Sequence, residues 1–429
     1  MTNTTIITAL PIGEIDTDVV RSEFESIMGV FKNLGLDLFV ADPVSDVESG
    51  RRSVEKLSKR NPDLLLLIPL RGLSAQIIET AILTSHSPCL VCPVQGRFAL
   101  PSSTLAIGAV QESEVPLELL FAPPDHPDFI KRLRCITATA RAFSRIRRSR
   151  IGVIGGLFPN LVSCRYDPNI VSSKLGTTLV PISFKEIRNV IRSRADGMNN
   201  VEQLQREITA SYKIDTTDLN ALEAGIQLHL ALKQVAVEQK IDGFATECWS
   251  GFPRELGLNP CIGFIEDAYT LACEGDVMLC ISLLLVRYLI GTGTYVGDLY
   301  DLDMDGILTL VHCGAPASLG SNKEEIVVSK SQLAQERGFE TITCRPRLEN
   351  GPVTLFRFYG WECDKLHLAF GELLDSELSP NLSVKVKLNG NRWDFLEQCF
   401  GNHYIMVAGD IRSELKLLGK WLGITIFET

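Results

Sequence analysis

The run from Asp63 to Leu70, DLLLLIPL, constrains the fold of this chain more than any other stretch. A continuous apolar run of this kind is typical of a strand in a parallel sheet that is buried on both faces. Strand and helix patterns alternate around it, with strands at 5–10, 36–40 and 88–94 and helices at 17–34, 47–60 and 73–83. This β-α-β-α order predicts a doubly wound parallel sheet.

The remainder of the chain divides at two further changes of pattern. A proline-rich segment, APPDH at 122–126, predicts a domain boundary. After the strand pattern that ends at His312, short alternating runs separated by turn residues predict antiparallel strands. The predicted fold is therefore two doubly wound α/β domains, residues 1–125 and 126–312, followed by a mostly antiparallel β-barrel-like C-terminal domain, residues 313–429.

Bulk composition excludes several classes of protein. The net charge of −10, with no basic stripe, gives no electrostatic basis for binding nucleic acid. The longest apolar run, Val277 to Ile290, contains Arg287 and is shorter than the roughly 20 residues that span a bilayer, so it predicts a buried helix and no membrane partner. The twelve cysteines are scattered without regular spacing, and no positive region precedes the first apolar run. These features predict a cytoplasmic protein without a signal peptide.

Three acidic residues lie at predicted structural edges. Glu247 follows the apolar run 241–246, which has the character of a buried strand, and Glu274 and Asp276 directly precede the apolar helix that begins at Val277. Carboxylates at strand ends and helix starts are where α/β proteins place ligand sites. Acids at a helix start are equally suited to capping, because the helix dipole stabilises them. The residues alone leave both interpretations open.

Two histidines are candidate partners for these acids. His403 lies in FGNHYIMVAGD, and His312 ends the strand pattern GILTLVH. Two or three carboxylates with one histidine form a hard, oxygen-rich set of ligands, which favours Mn²⁺ or Mg²⁺ over zinc. Gly152, Gly155 and Gly156 in RIGVIGG fit neither common phosphate-loop spacing, so we predict a tight turn there.

Several segments together resemble one family of enzymes. The segments TECWSGF, LNPC, ACEGD, TGTYVGD and LVHCGAPA, followed by GPVTLFRF and GNHYIMVAGD, look like the metal-dependent L-fucose isomerase and L-arabinose isomerase superfamily. The resemblance covers residues 242–320, 352–358 and 401–410, and is only architectural before residue 150.

The resemblance implies a set of metal ligands. It assigns the metal to Glu247, to one acid of the Glu274–Asp276 pair, and to His403. Fucose-type enzymes use the later acid of the pair and arabinose-type enzymes the earlier one. The context of His403 is closer to the fucose type, which favours Asp276 and keeps Glu274 as the alternate.

The resemblance also implies an activity. We expect aldose–ketose isomerisation of a monosaccharide, a deoxy-sugar, pentose or hexose that is neutral or anionic, through a cis-enediol. The expected cofactor is Mn²⁺, with Mg²⁺ or another divalent ion as alternatives, and Glu247 and Asp276 would share the proton transfers. The expected assembly is a homo-oligomer, a trimer or hexamer. Residues expected to contact the sugar are Trp249, Arg254, His312, Arg165 and Asn402.

Two other functions remain alternatives. One is a catalytically inactive sugar-binding or regulatory homologue, since tandem α/β units also occur in sugar sensors. The other is a metal-dependent lyase or epimerase acting on a sugar acid, which would share the enediolate chemistry.

Overall fold

The computed structural model describes residues 4–193, 198–216, 219–266 and 268–429. The helices are α1 (Asp18–Asn33), α2 (Val47–Ser58), α3 (Ala75–Thr84), α4 (Ala99–Ala109), α5 (Pro127–Ile146), α6 (Pro168–Leu175), α7 (Phe184–Ser193), α8 (Met198–Ser211), α9 (Leu219–Gln239), α10 (Gly251–Leu256), α11 (Val277–Ile290), α12 (Gln332–Glu336), α13 (Arg392–Glu397) and α14 (Arg412–Leu422).

The strands are β1 (Ile6–Ile12), β2 (Asp37–Val40), β3 (Leu64–Pro69), β4 (Cys89–Val91), β5 (Leu117–Leu119), β6 (Arg150–Ile154), β7 (Thr178–Ile182), β8 (Lys213–Asp215), β9 (Gly243–Thr246), β10 (Thr270–Ala272), β11 (Tyr295–Leu302), β12 (Ile307–His312), β13 (Val327–Lys330), β14 (Ile342–Arg345), β15 (Gly351–Tyr359), β16 (Lys365–Glu377), β17 (Leu382–Leu388), β18 (His403–Ala408) and β19 (Thr425–Glu428). The chain forms two compact units, Met1–Arg145 with Tyr288–Ile290 and Ser413–Trp421, and Ile146–Arg287 with Gly291–Arg412 and Leu422–Thr429.

The first unit is built on a parallel sheet with the strand order β2-β1-β3-β4-β5. All six residues of β3 are buried. Because side chains alternate along a strand, Leu64 and Leu66 pack in one core with α1 and α5, whereas Leu65 and Leu67 pack in a second core with α2 and α3. This two-sided burial explains why the strand has no polar face, as the apolar run predicted.

The second unit contains another parallel sheet, with the strand order β10-β9-β6-β7. From β6 the chain continues to β7 on one side, and later returns to add β9 and β10 on the other side. The order therefore reverses between β6 and β9, and a crevice at the carboxyl ends of the strands at such a switch point is where open α/β sheets bind ligands. A small mixed sheet, β14-β13-β8, belongs to the same unit.

An antiparallel barrel completes the second unit. Its strands follow the order β15-β18-β11-β12-β17-β16, and pairing of β15 with β16 closes it. Strand β19 adds to β16 in parallel. The predicted fold class, parallel α/β sheets followed by an antiparallel barrel, is confirmed. Two barrel strands, β11 and β12, precede residue 313, and the predicted division into three domains stays a prediction.

Helix α11 is the buried helix that its apolar sequence predicted. Residues Val277 to Val286 are all buried, and Asp276 caps the helix N-terminus. Among the described residues, no helix is long and apolar enough to cross a membrane.

Candidate active site

Three loops meet at the carboxyl ends of β6, β9 and β10. After β6, Gly155 has a φ of +83°, and a Cβ there would lie 2.8 Å from the Cβ of Glu247, which follows β9. After β10, Gly275 has a φ of +72°, and a Cβ there would overlap the carbonyl oxygen of Gly156. Glycine is required at both positions because of the backbone conformation and the close approach of the loops. Gly155 and Gly156 therefore form the tight turn that we predicted, whereas Gly152 lies inside β6, where a Cβ would meet Ile182 and Phe244.

The carboxylate of Glu247 is held by its own loop. Its Oε1 accepts hydrogen bonds from the backbone N–H groups of Trp249 at 3.1 Å and Ser250 at 3.0 Å. Its Oε2 accepts from the Ser250 hydroxyl at 2.9 Å and from the N–H of Gly251. The side chain is 4% exposed. Glu247 thus satisfies the free N–H groups at the start of α10, which is a structural role compatible with a further one.

Asp276 both caps helix α11 and forms part of the site, the two roles that its position in the sequence allowed. Its Oδ1 accepts the N–H of Leu279 at 2.9 Å and caps α11. Its Oδ2 lies 3.0 Å from Nδ1 of His403, which stands 127 positions later at the start of β18. Both side chains are 1% exposed. Helix capping and a place in the site are therefore not alternatives here, because one oxygen serves each.

His403 is surrounded by carboxylates. Its Nδ1 faces Asp276, and its Nε2 lies 3.7 Å from Oε2 of Glu274 and 3.6 Å from Oδ1 of Asp298. Asp298 is the direct cross-strand partner of His403 in the β11–β18 pairing, so both side chains leave the same face of the barrel sheet. Three acids, two from the loop after β10 and one from barrel strand β11, thus converge on one buried imidazole.

The electrostatics of the cluster follow from burial and proximity. Burial acts to raise the pKa of Asp276, but the hydrogen bond to His403 and the charges of His403 and Arg357 outweigh it and hold the pKa at about 2. Burial acts to lower the pKa of His403, and the facing carboxylates raise it well above its usual value. The pKa of Glu274 is raised, chiefly by burial, against the opposing charge of His403. The cluster therefore favours bound positive charge.

Two further buried groups complete the site. The guanidinium of Arg357, 4% exposed, donates from Nη1 to the carbonyl of His403 at 2.8 Å and from Nη2 to the sulfur of Cys164 at 3.2 Å. Cys164, Asp276 and His403 each offer one ligand atom within 4.8 Å of the others, and over the described part of the chain this is the group that could hold a metal ion. Glu247 is not part of it.

Of the residues expected to contact a sugar, some lie beside or near the acids around His403 and others lie at the surface. Asn402 donates to Oδ1 of Asp298 at 2.6 Å, which places it beside His403. His312 is buried, its Nδ1 lies 2.8 Å from the carbonyl of Gly314, and it lines a cavity together with Cys273. Trp249 is 39% exposed and packs against Phe158 with the two rings tilted by 36°.

The two arginines of that set lie at the surface. Arg254 is exposed and pairs with its neighbour Glu255 at 3.2 Å. Arg165 is exposed and directly follows Cys164. The structure gives no contact from either arginine to the acids around His403.

Sequence reasoning missed three members of the cluster: Asp298, Cys164 and Arg357. Asp298 ends the segment TGTYVGD and Arg357 lies in GPVTLFRF, both of which carried the family resemblance, so the signal for these two was present. Cys164 lies in a short 3₁₀ turn at Val162–Cys164, and no spacing or motif singled it out.

Comparison with known proteins identifies full-length relatives. Sulfoquinovose isomerases of Priestia aryabhattai and Priestia megaterium are each 24% identical over 99% of this chain and 99% of their own length. A sulfoquinovose isomerase of Alkalicoccus urumqiensis is 22% identical over 96% of this chain and 95% of its own. The chain is a homologue of sugar isomerases. The prediction of an enzyme that interconverts aldose and ketose is confirmed.

Other comparisons add little. No protein-family model matches the chain. A solute-binding protein of an ABC transporter from Burkholderia multivorans is 12% identical and covers 66% of this chain and 93% of its own, with a TM-score of 0.19, which carries no argument. Membership of the fucose and arabinose isomerase superfamily, the metal, the oligomer and the cytoplasmic location stay predictions.

Proposed function

We propose that this homologue of sulfoquinovose isomerases interconverts the aldose and ketose forms of a sulfonated hexose, with a divalent cation held at His403. The observation that carries the proposal is the ring of three carboxylates around one buried imidazole, at 3.0, 3.6 and 3.7 Å. Asp276 and His403 are 1% exposed, Glu274 is 14% exposed and Asp298 is 38% exposed, so the acids converge on a largely buried imidazole, where a bound cation would offset their mutual repulsion.

The donor set fits a divalent metal ion. Asp276 and His403 contribute a carboxylate oxygen and an imidazole nitrogen, and Glu274 and Asp298 offer further oxygens. The Nε2 distances to those two acids are longer than hydrogen bonds, so the acids face the ring without satisfying it. Oxygen and imidazole donors suit Mn²⁺, whereas the neighbouring thiol of Cys164 would favour a softer ion such as zinc.

The metal ion would supply Lewis acidity that polarises the sugar carbonyl. The residues of the chain supply the proton transfers. Glu274 is 14% exposed and adjoins His403, and burial raises its pKa above the usual value, which makes its carboxylate a stronger base. We assign to Glu274 the transfer of a proton between C1 and C2 of the sugar. Asp276, with its lowered pKa, stays ionised and orients His403.

The expected role of Glu247 as a ligand or base stays part of the proposal. Its loop lies against the Gly155 loop of the same crevice. Engaging the sugar would require its carboxylate to exchange the hydrogen bonds to Ser250 and Gly251 for new ones. Glu247→Gln separates the two roles. If Glu247 is a metal ligand, the variant should lose bound metal. If Glu247 only caps α10, the metal content of the variant should be unchanged.

The decisive experiment follows the sugar itself. Metal-depleted protein is incubated with sulfoquinovose in D₂O, with Mn²⁺, with Zn²⁺ or with EDTA, and the products are identified by NMR. We expect the intact ketose, and solvent deuterium at C2 of the recovered aldose, only where a metal is present.

The other outcomes select the rival functions. Carbon–carbon cleavage or loss of water would indicate a lyase, and inversion at C2 without ketose would indicate an epimerase. Binding without any exchange of hydrogen would indicate a catalytically inactive homologue. Glu274→Gln is expected to keep the metal and lose deuterium exchange, whereas His403→Gln is expected to lose both.

A further inference from the structure

Arg337 is a guanidinium held beside the candidate active site by aromatic rings. It follows α12, its Cζ lies 3.7 Å from the centre of the Trp249 ring, and it lies 5.0 Å from the centre of the Phe339 ring. A cation over an aromatic ring is held by electrostatic attraction to the ring face, a contact that does not consume its N–H donors in hydrogen bonds. The side chain is therefore fixed in place while its hydrogen-bonding groups remain available.

Two contacts connect Arg337 with the loops that carry the acids. The backbone N–H of Trp249 donates to the carboxylate of Glu247 at 3.1 Å. Trp249 also packs against Phe158 with 5.3 Å between ring centres, and the N–H of Phe158 donates to the carbonyl of Glu274 at 2.9 Å. Arg337 thus contacts a residue of the Glu247 loop directly, and two aromatic rings, Trp249 and Phe158, lie between it and the loop that carries Glu274.

Arg337 has no acidic partner among the residues that the structure describes. Some arginines of this unit are neutralised, as Arg188 is by Glu255 at 3.0 Å and Arg412 is by Asp410 at 2.8 Å, whereas Arg345 donates instead to the carbonyl of Pro380 and the hydroxyl of Ser329. A guanidinium that is stacked, partly buried and without a carboxylate is ready to form a bidentate pair with an anion from outside the chain.

We propose that Arg337, positioned by Trp249, is the residue that recognises the anionic group of the sugar substrate and so determines specificity. The inference rests on the proposed function, because the acids near His403 must hold the carbonyl end of the sugar. In a hexose sulfonated at C6 the anion lies at the opposite end of the molecule. The planar fork of a guanidinium matches the oxygens of a sulfonate as it matches those of a phosphate.

Arg165 is the competing assignment for this role. It is exposed and follows Cys164, but it has no ring to stack on within the part of the chain that the structure describes, so ordering its side chain on an anion would cost more conformational entropy. A stacked arginine is pre-organised, which favours Arg337.

The test compares two sugars that differ only in the anion, sulfoquinovose and 6-deoxyglucose. Values of kcat/KM are measured for wild type, Arg337→Met, Arg337→Lys and Arg165→Met, with thermal unfolding to check folding. Arg206→Met is the control for loss of one positive charge, because Arg206 is a 71% exposed side chain on α8 that pairs with Glu202.

For Arg337→Met we expect kcat/KM on sulfoquinovose to fall about 10- to 100-fold, mainly through KM, which is the range of a lost charge-assisted hydrogen bond. The value on 6-deoxyglucose should change less than about twofold, since no contact to the neutral sugar is removed. Arg337→Lys should recover part of the loss because it keeps the charge without the fork. Arg206→Met should behave as wild type on both sugars.

Three results would overturn the assignment: an equal loss on both sugars, no loss on either, or loss of selectivity in Arg165→Met but not in Arg337→Met. If wild type converts neither sugar, the proposed reaction fails, and calorimetric binding of sulfoquinovose then decides the role of Arg337 by itself. Weaker binding in Arg337→Met than in Arg206→Met supports it, and equal or absent binding rejects it.

Discussion

Replacing Asp276 by asparagine tests how the cluster around His403 is held together without metal. Asparagine can still accept the N–H of Leu279, so the cap of α11 is retained, whereas the ionic contact to His403 at 3.0 Å is lost. The pKa of Asp276 is lowered from 3.8 to about 2. At 1.4 kcal/mol per unit this corresponds to about 2 kcal/mol of stability at neutral pH.

The sign and the pH range of this effect are fixed by the direction of the shift. A carboxylate with a lowered pKa in the folded protein contributes stability that is fully present above its ordinary pKa near 3.8 and is lost as the pH falls toward 2. Removing one partner of a buried ion pair costs up to about 5 kcal/mol. Because His403 can release its proton in the variant, we expect a loss near the lower value.

The assay is urea unfolding at pH 7 in EDTA, fitted with two transitions because the chain forms two compact units. Asp242→Asn is the matched control. Burial raises the pKa of Asp242, against the hydrogen bond from the N–H of Arg150 and nearby arginine charges, so removing its charge should leave stability unchanged or increase it. If Asp276→Asn unfolds at the wild-type urea concentration, or shifts no more than Asp242→Asn, the account of the cluster is wrong.

Three further predictions concern other parts of the second unit. His367 is fully buried, and burial lowers its pKa to about 4, so stability should fall by up to about 3 kcal/mol as the pH drops from about 6.5 to 4. Measuring the free energy of unfolding across this pH range in wild type and His367→Gln checks this, since the variant should lose the pH dependence. Gly275→Ala should cost at least about 2 kcal/mol more than Gly257→Ala, because both have a left-handed backbone but only Gly275 meets the Gly156 carbonyl, and equal unfolding midpoints would contradict this. Glu247→Gln should lower stability by about 1 to 3 kcal/mol, because its amide would oppose N–H groups that the carboxylate accepts, and urea unfolding against wild type measures it.

Much of the fold could be predicted from local pattern. The apolar run of β3 required burial on both faces, and the structure places its alternate residues in two cores. The barrel was predicted as a class from short alternating runs. Its closure was not predictable in the same way, because it depends on β15 pairing with both β16 and β18, a long-range choice of partners that no local pattern encodes.

The candidate site shows the same division between local and long-range information. The positions of Glu274 and Asp276 at the start of α11 followed from periodicity, and the resemblance supplied His403. Asp298 lies in a segment that carried the resemblance, but its place beside His403 depends on the register of β11 against β18, since a shift of one residue would turn its side chain to the other face. Arg337 was missed because its partner Trp249 lies 88 positions earlier in the chain and a stacking contact leaves no sequence motif.

The most direct test of the central claim measures bound metal and sugar conversion in the same samples. Wild type and His403→Gln are loaded with Mn²⁺, freed of unbound ion, analysed for metal, and assayed for formation of ketose from sulfoquinovose. The account predicts stoichiometric Mn²⁺ and ketose formation in wild type, and neither in the variant. A folded His403→Gln protein that keeps both would contradict it, because the reaction would then take place elsewhere.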